Sequence, residues 1–133
     1  MPASYKIYQI KDFIKTVEEG KIDVERSLDI VATLAVAAEF HENLNIVIDI
    51  RKLTNALKFP ELLKVSIEFA YYKNSFHNKI ALIIADNQER IERAEFVKAN
   101  LKSHDFEFEY FTEYEKAIDW VSDITPIWSV QKF

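Results

Sequence analysis

The chain has 133 residues, 49% of them hydrophobic and 29% charged, with a formal net charge of −5. That length suits one domain with a substantial core, spanning residues 1–133, and the composition is that of an ordinary globule. The single glycine, Gly20, excludes phosphate-binding glycine loops, dinucleotide fingerprints and nucleophile elbows, and the absence of cysteine excludes disulfides, thiolate metal sites and thiol catalysis.

Lysine and arginine are interspersed with aspartate and glutamate, so the acidic balance argues against a nucleic-acid partner. No apolar run approaches the ~20 residues of a membrane span. The amino terminus lacks the basic start and long apolar stretch of a signal peptide. The expectation is a cytoplasmic protein with no membrane span.

Two short extended segments are expected between Ser4 and Val17, the first carrying Tyr5, Ile7 and Ile10, the second Phe13, Ile14 and Val17. Lys11-Asp12 is a plausible turn between them. Gly20 then breaks the pattern and can take a positive φ at little steric cost. Asp23 is a good N-cap for a first helix, in which Val24, Leu28, Val31, Leu34, Ala35 and Ala38 recur at helical spacing. That helix should end near Phe40 to Glu42.

Residues 45–50, Asn-Ile-Val-Ile-Asp-Ile, form a short apolar run of the kind a strand buried on both faces requires. After the loop from Arg51 to Lys58, Pro60 suits the first position of a second helix reaching about Asn74. Its apolar side chains fall on two arcs. Leu62, Val65, Phe69, Tyr72 and Phe76 form one; Leu63, Ile67, Ala70 and Tyr71 form the other. A helix packed on one sheet needs only one arc. The other must meet a protein partner, a second copy of the chain, a ligand or the aromatic tail.

Residues 79–85 form a second buried strand, and Asp86 with Glu89 reads as a capping box for a third helix. The core face of that helix would be Ile91, Ala94, Val97 and Leu101, with Phe96 off the stripe. Residues 106–111 alternate as a half-exposed strand does. Thr112 with Glu115 reads as a capping box for a last short helix, and the tail 125–133 carries Ile127, Trp128, Val130 and Phe133. Alternating strands and helices specify an α/β domain with a largely parallel or mixed sheet.

The ordered set of phrases resembles the STAS-like fold, and within it the SpoIIAA-like group of small bacterial proteins. The phrases are Glu19-Gly20-Lys21-Ile22, Ile46-Val47-Ile48-Asp49-Ile50, Lys79-Ile80-Ala81-Leu82-Ile83-Ile84 and residues 111–120 from Phe111 to Trp120. The likeness runs from Tyr5 to Ile124. It implies a mixed, mostly parallel sheet of four or five strands with four helices mainly on one side. In the regulatory members a serine at the start of the helix after the central strand is phosphorylated by a kinase partner. Counted from Asp49, the Asp-Ser pair of that motif falls on Leu57-Lys58, so the switch does not carry over. What the resemblance implies is a scaffold whose loop and second helix form a partner surface. Relatives of the broad fold are also linked to lipid or small apolar ligands.

Other side chains carry little chemistry. Asp49 resembles a phospho-acceptor, but that chemistry needs a metal-binding acidic pair that the chain does not offer. It is expected to accept backbone N–H bonds at a strand-to-loop turn. His41, His77 and His104 lie just past helix ends without ligand spacing, so no metal and no cofactor are expected. Arg51 and Lys52 stand where α/β folds often bind ligands. The expected partner or ligand surface is therefore Arg51, Lys52, Thr54, Leu62, Val65, Phe69, Tyr72 and Phe76, on a non-enzymatic binding or regulatory module. The alternative is a carrier of a small apolar or lipid-like ligand between the sheet and the second helix.

Overall fold

Among the described residues, six strands and four α-helices follow the order β1 (Lys6–Ile7), β2 (Phe13–Gly20), α1 (Val24–Phe40), β3 (Asn45–Leu53), α2 (Phe59–Tyr71), β4 (Ile80–Ile83), α3 (Gln88–Lys102), β5 (Phe108–Phe111), α4 (Tyr114–Ser122) and β6 (Thr125–Pro126). The computed structural model describes residues 6–7, 13–122 and 125–126. β2, β3, β4 and β5 lie side by side in chain order, and every pair is parallel. Of the mixed and parallel arrangements compatible with the sequence, the four-stranded sheet takes the parallel one.

This order accounts for the helix layers. A parallel crossover is right-handed almost without exception. Three crossovers that each step in the same direction leave their helices on one face, and α1, α2 and α3 share that face. α4 leaves the last strand and covers the other. Side chains alternate accordingly. Ile46, Ile48, Ile80 and Phe108 pack under α1, α2 and α3, whereas Val47, Ala81 and Ile83 pack against Ala117 and Val121 of α4. Burial on both faces is why β3 and β4 read as continuous apolar runs.

The two amino-terminal extended segments do not pair with each other. β1 pairs antiparallel with β6, Lys6 opposite Pro126, and β2 pairs with β3. The turn expected at Lys11-Asp12 lies outside the described residues, as does the tail from residue 127 that was a candidate cover for α2.

Local chemistry sets the element ends. The Asp23 carboxylate accepts from the Arg26 backbone N–H at 2.7 Å and caps α1. Gly20 ends β2 at φ 78°, the left-handed conformation that glycine adopts without a Cβ clash. Before α2, the Glu61 carboxylate accepts from the Lys58 backbone N–H at 2.9 Å, and Pro60 sits in the first turn. α3 is capped by Asn87, one residue beyond the Asp86 expected from the sequence; its side chain accepts from Arg90 N–H at 2.9 Å. α2 ends at Tyr71 rather than near Asn74, and a 3₁₀ turn over Lys73–Ser75 follows it.

Between the helix layer and the amino ends of the strands lies an aromatic cluster. Phe69, Phe76 and Phe106 stand with ring centroids 5.5 to 6.0 Å apart, in the tilted and edge-on arrangements that aromatic rings prefer. Phe96, off the core stripe of α3, meets Phe59 at the start of α2 edge-on at 5.3 Å.

Candidate functional site

The sheet divides the residues expected to share one surface. Arg51 lies on the α4 side, with its guanidinium 5.7 Å from the Tyr114 ring. Leu62, Val65 and Phe69 lie on the opposite side, packed into the core beneath α1 and α3. Lys52 and Thr54 are exposed, and Thr54 donates its backbone N–H to Gly20 at 2.8 Å. Phe76 is buried at the amino end of the sheet, and half-buried Tyr72 caps the end of α2. With Phe69 and Phe76 buried, neither side chain is accessible to a docking protein. A protein approaching α2 from solvent meets the other arc, Leu63, Ile67 and Tyr71, which are 43%, 59% and 78% exposed.

Asp49 is not at a strand-to-loop turn, because β3 continues to Leu53. Its carboxylate accepts from Arg51 three times: the backbone N–H at 3.2 Å, Nε at 3.0 Å and Nη2 at 2.7 Å. The Arg51 side chain, through these hydrogen bonds, holds the Asp49 carboxyl below its ordinary pKa despite the opposing effect of burial. Lys15 also approaches this corner, donating to the Tyr114 hydroxyl at 3.3 Å. A carboxylate saturated by one guanidinium is an anchor between two positions of a strand, not a free acid or nucleophile. His41, His77 and His104 are exposed. Among the described residues, no group of three or more histidine and acidic side chains is placed to hold a metal ion. Among the same residues, no helix is long and apolar enough to cross a membrane.

The feature that stands out lies on the other face, toward the carboxyl ends of the strands. A cavity of about 140 Å³ opens between the sheet and α1, α2 and α3. Its walls are Ile48 and Ile50 from β3, Ile30 and Val31 from α1, Leu62 and Val65 from α2, and Ala94 and Val97 from α3. Only four lining residues are polar: Ser27, Asn55, Arg90 and Arg93. Ser27 donates to the Asp23 carbonyl at 2.8 Å. Asn55 clamps the two loops at this end. Its Oδ1 accepts from Ile22 N–H at 2.8 Å, and its Nδ2 donates to the Ile22 carbonyl at 2.9 Å.

Arg90 and Arg93 reach across from α3 to the loop after β3. Arg90 donates to the carbonyls of Asn55 at 2.6 Å and Leu53 at 3.4 Å. Arg93 donates to Leu57 at 2.8 Å and to Glu89 at 3.3 Å, and its guanidinium stacks 4.9 Å from the Phe59 ring. Such an end offers apolar walls, hydrogen-bonded loops and cationic groups, but no carboxylate aimed at a substrate.

Sequence reasoning reached the walls contributed by α2 but missed Asn55, Arg90 and Arg93. A signal for the arginines does exist. They stand four positions before Ala94 and Val97 respectively, so they prolong the core stripe of α3 with cations where apolar residues are expected. Compared with protein-family models, curated proteins and solved structures, the chain matches none.

Proposed function

We propose that this protein is a non-enzymatic binding module that holds a small apolar group in the cavity between the sheet and its three-helix layer. The observation that carries this reading is the lining: four polar residues among twenty, all four with hydrogen bonds to backbone carbonyls or N–H groups. An apolar void of ~150 Å³ stays dry and accepts a guest the size of benzene. At about 140 Å³ this cavity matches that scale. It is smaller than the ~300–1,000 Å³ of pockets that enclose drug-sized ligands, so a whole lipid is too large for it. The likeness to STAS-like and SpoIIAA-like modules, read from the ordered phrases of the chain, points the same way, since such proteins act by binding.

The test is a benzene titration of protein labelled at its isoleucine, leucine and valine methyl groups. Saturable shifts are expected at Ile48, Leu62 and Val65, and Ala94→Leu, which fills the void, should remove them. Shifts that never saturate, or that spread evenly over the surface, would overturn the reading.

A further inference from the structure

We infer that the cavity takes the tail of an amphiphile with an anionic head, and that Arg90 and Arg93 bind the head. The inference rests on the binding-module reading above and adds the chemical class of the ligand. Three observations meet at one end of the void.

The first is the arginine pair. Both arginines line a chamber whose other polar residues are only Ser27 and Asn55, and both direct their hydrogen bonds to neutral carbonyls. Arg90 Nε forms a long ion pair with Glu89 Oε1 at 3.8 Å, beyond hydrogen-bond distance, and the Glu89 side chain is 59% exposed, where solvent screens it. The Arg90 Nε itself is buried and has no hydrogen-bond partner among the described residues. A buried donor left unmade is costly, and an oxyanion at the end of the chamber would satisfy it.

The second is helix direction. α1, α2 and α3 each follow a strand of one parallel sheet, so all three begin at its carboxyl end, where the arginines stand. Helix amino termini carry partial positive charge. Asp23 and Glu61 are already engaged in capping α1 and α2, and neither lines the chamber.

The third is the division of the lining along its length. Polar groups gather at the loop end with Asn55, Arg90 and Arg93. Phe69, late in α2, and Phe108, the first residue of β5, line the chamber toward the amino ends of the strands. A ligand matched to this chamber is apolar at one end and charged at the other. By the size comparison above, its tail has about six carbons.

The shared head chemistry is an oxyanion, carboxylate or phosphate monoester, because guanidinium forks bind both. The experiment titrates the intact chain at neutral pH with hexanoate, hexyl phosphate, hexanol and hexylammonium, and reads dissociation constants from methyl shifts. Hexanoate or hexyl phosphate should bind about tenfold or more tighter than hexanol, as expected for hydrogen bonds to a charged group. Hexylammonium should bind weakest. The tighter of the two anions identifies the head. In Arg93→Gln the preference for the anion should collapse toward one, while hexanol binding holds.

Equal affinity for hexanol and both anions in the native chain would overturn the anionic head and leave the apolar chamber standing. An anion preference that survives Arg93→Gln and Arg90→Gln would overturn the role of the pair. Failure of all four compounds to bind would overturn the binding-module reading itself. The comparison of the four compounds on the native protein decides the head chemistry even if a variant does not fold.

Discussion

The two ends of the three-helix layer are built from the same helices over the same sheet, yet one is filled and the other is not. At the amino end of the sheet, Phe69, Phe76 and Phe106 interlock. At the carboxyl end, Ser27, Ala56 and Ala94 stand where larger side chains would close the gap. Protein interiors are packed as densely as organic crystals. A void bordered by small residues, beside a cluster of three phenylalanines, is therefore a choice of side chains and not a failure of the helices to meet. On the proposed reading, packing stability is concentrated at the amino end of the sheet and the carboxyl end is left open for a ligand.

The largest effect that sharpens this contrast is a truncation of the filled end. Phe76→Ala should cost about 3–5 kcal/mol in urea unfolding, as removal of a buried phenylalanine ring does. Val65→Ala, at the wall of the void, should cost under ~2 kcal/mol, the transfer free energy of the methyl groups lost. Equal losses at the two sites would erase the distinction.

An intermediate effect is expected at Asn55. Its two bonds to Ile22 hold the loops over the open end. Asn55→Ala should cost about 1–3 kcal/mol for the buried groups left unpaired. It should also speed hydrogen exchange at the Ile22 amide while leaving amides beside Phe76 protected. Faster exchange at both ends would show that the two are not separable.

The smallest effect is one of pH. The Asp49 carboxyl titrates below its ordinary value because of Arg51. A carboxyl with a depressed folded-state pKa contributes stability fully above its unfolded value of ~3.9 and loses it as pH falls through the folded value. The urea midpoint of the native chain should therefore fall on acidification below about pH 4. Asp49→Asn should flatten that limb. A limb unchanged by the substitution would show that acid sensitivity arises elsewhere.

Features written in short-range chemistry were legible before the structure. The Asp23 cap and the positive φ of Gly20 depend on a few neighbouring atoms. The alternation of strand and helix, with its apolar periods, specified the α/β class. The Asp86 cap was misplaced by one residue because Asp86 and Asn87 are both competent caps and the backbone decides between them. The pairing of β1 with β6 joins distant segments through a partner that no local pattern marks. On α2 the sequence showed two apolar arcs but not which one faces the sheet. The structure buries Phe69 and exposes Ile67 and Tyr71. A pocket between the sheet and α2 was the alternative reading of the sequence, but its size and its walls from α1 and α3 were beyond reach. It is defined by the space left between side chains of three helices, and a sequence records side chains, not the gaps among them.

The spatial order β2, β3, β4, β5 is also the order of synthesis. A chain lengthening from its amino terminus can therefore add each strand to the edge left by the one before. Until residues 80–83 appear, the apolar run of β3 is an unpaired edge, and such edges are where nascent chains pair with one another. The stretch of chain between β3 and β4 spans α2 and the 3₁₀ turn. During that interval an apolar strand edge is uncovered, the condition in which partly made chains associate.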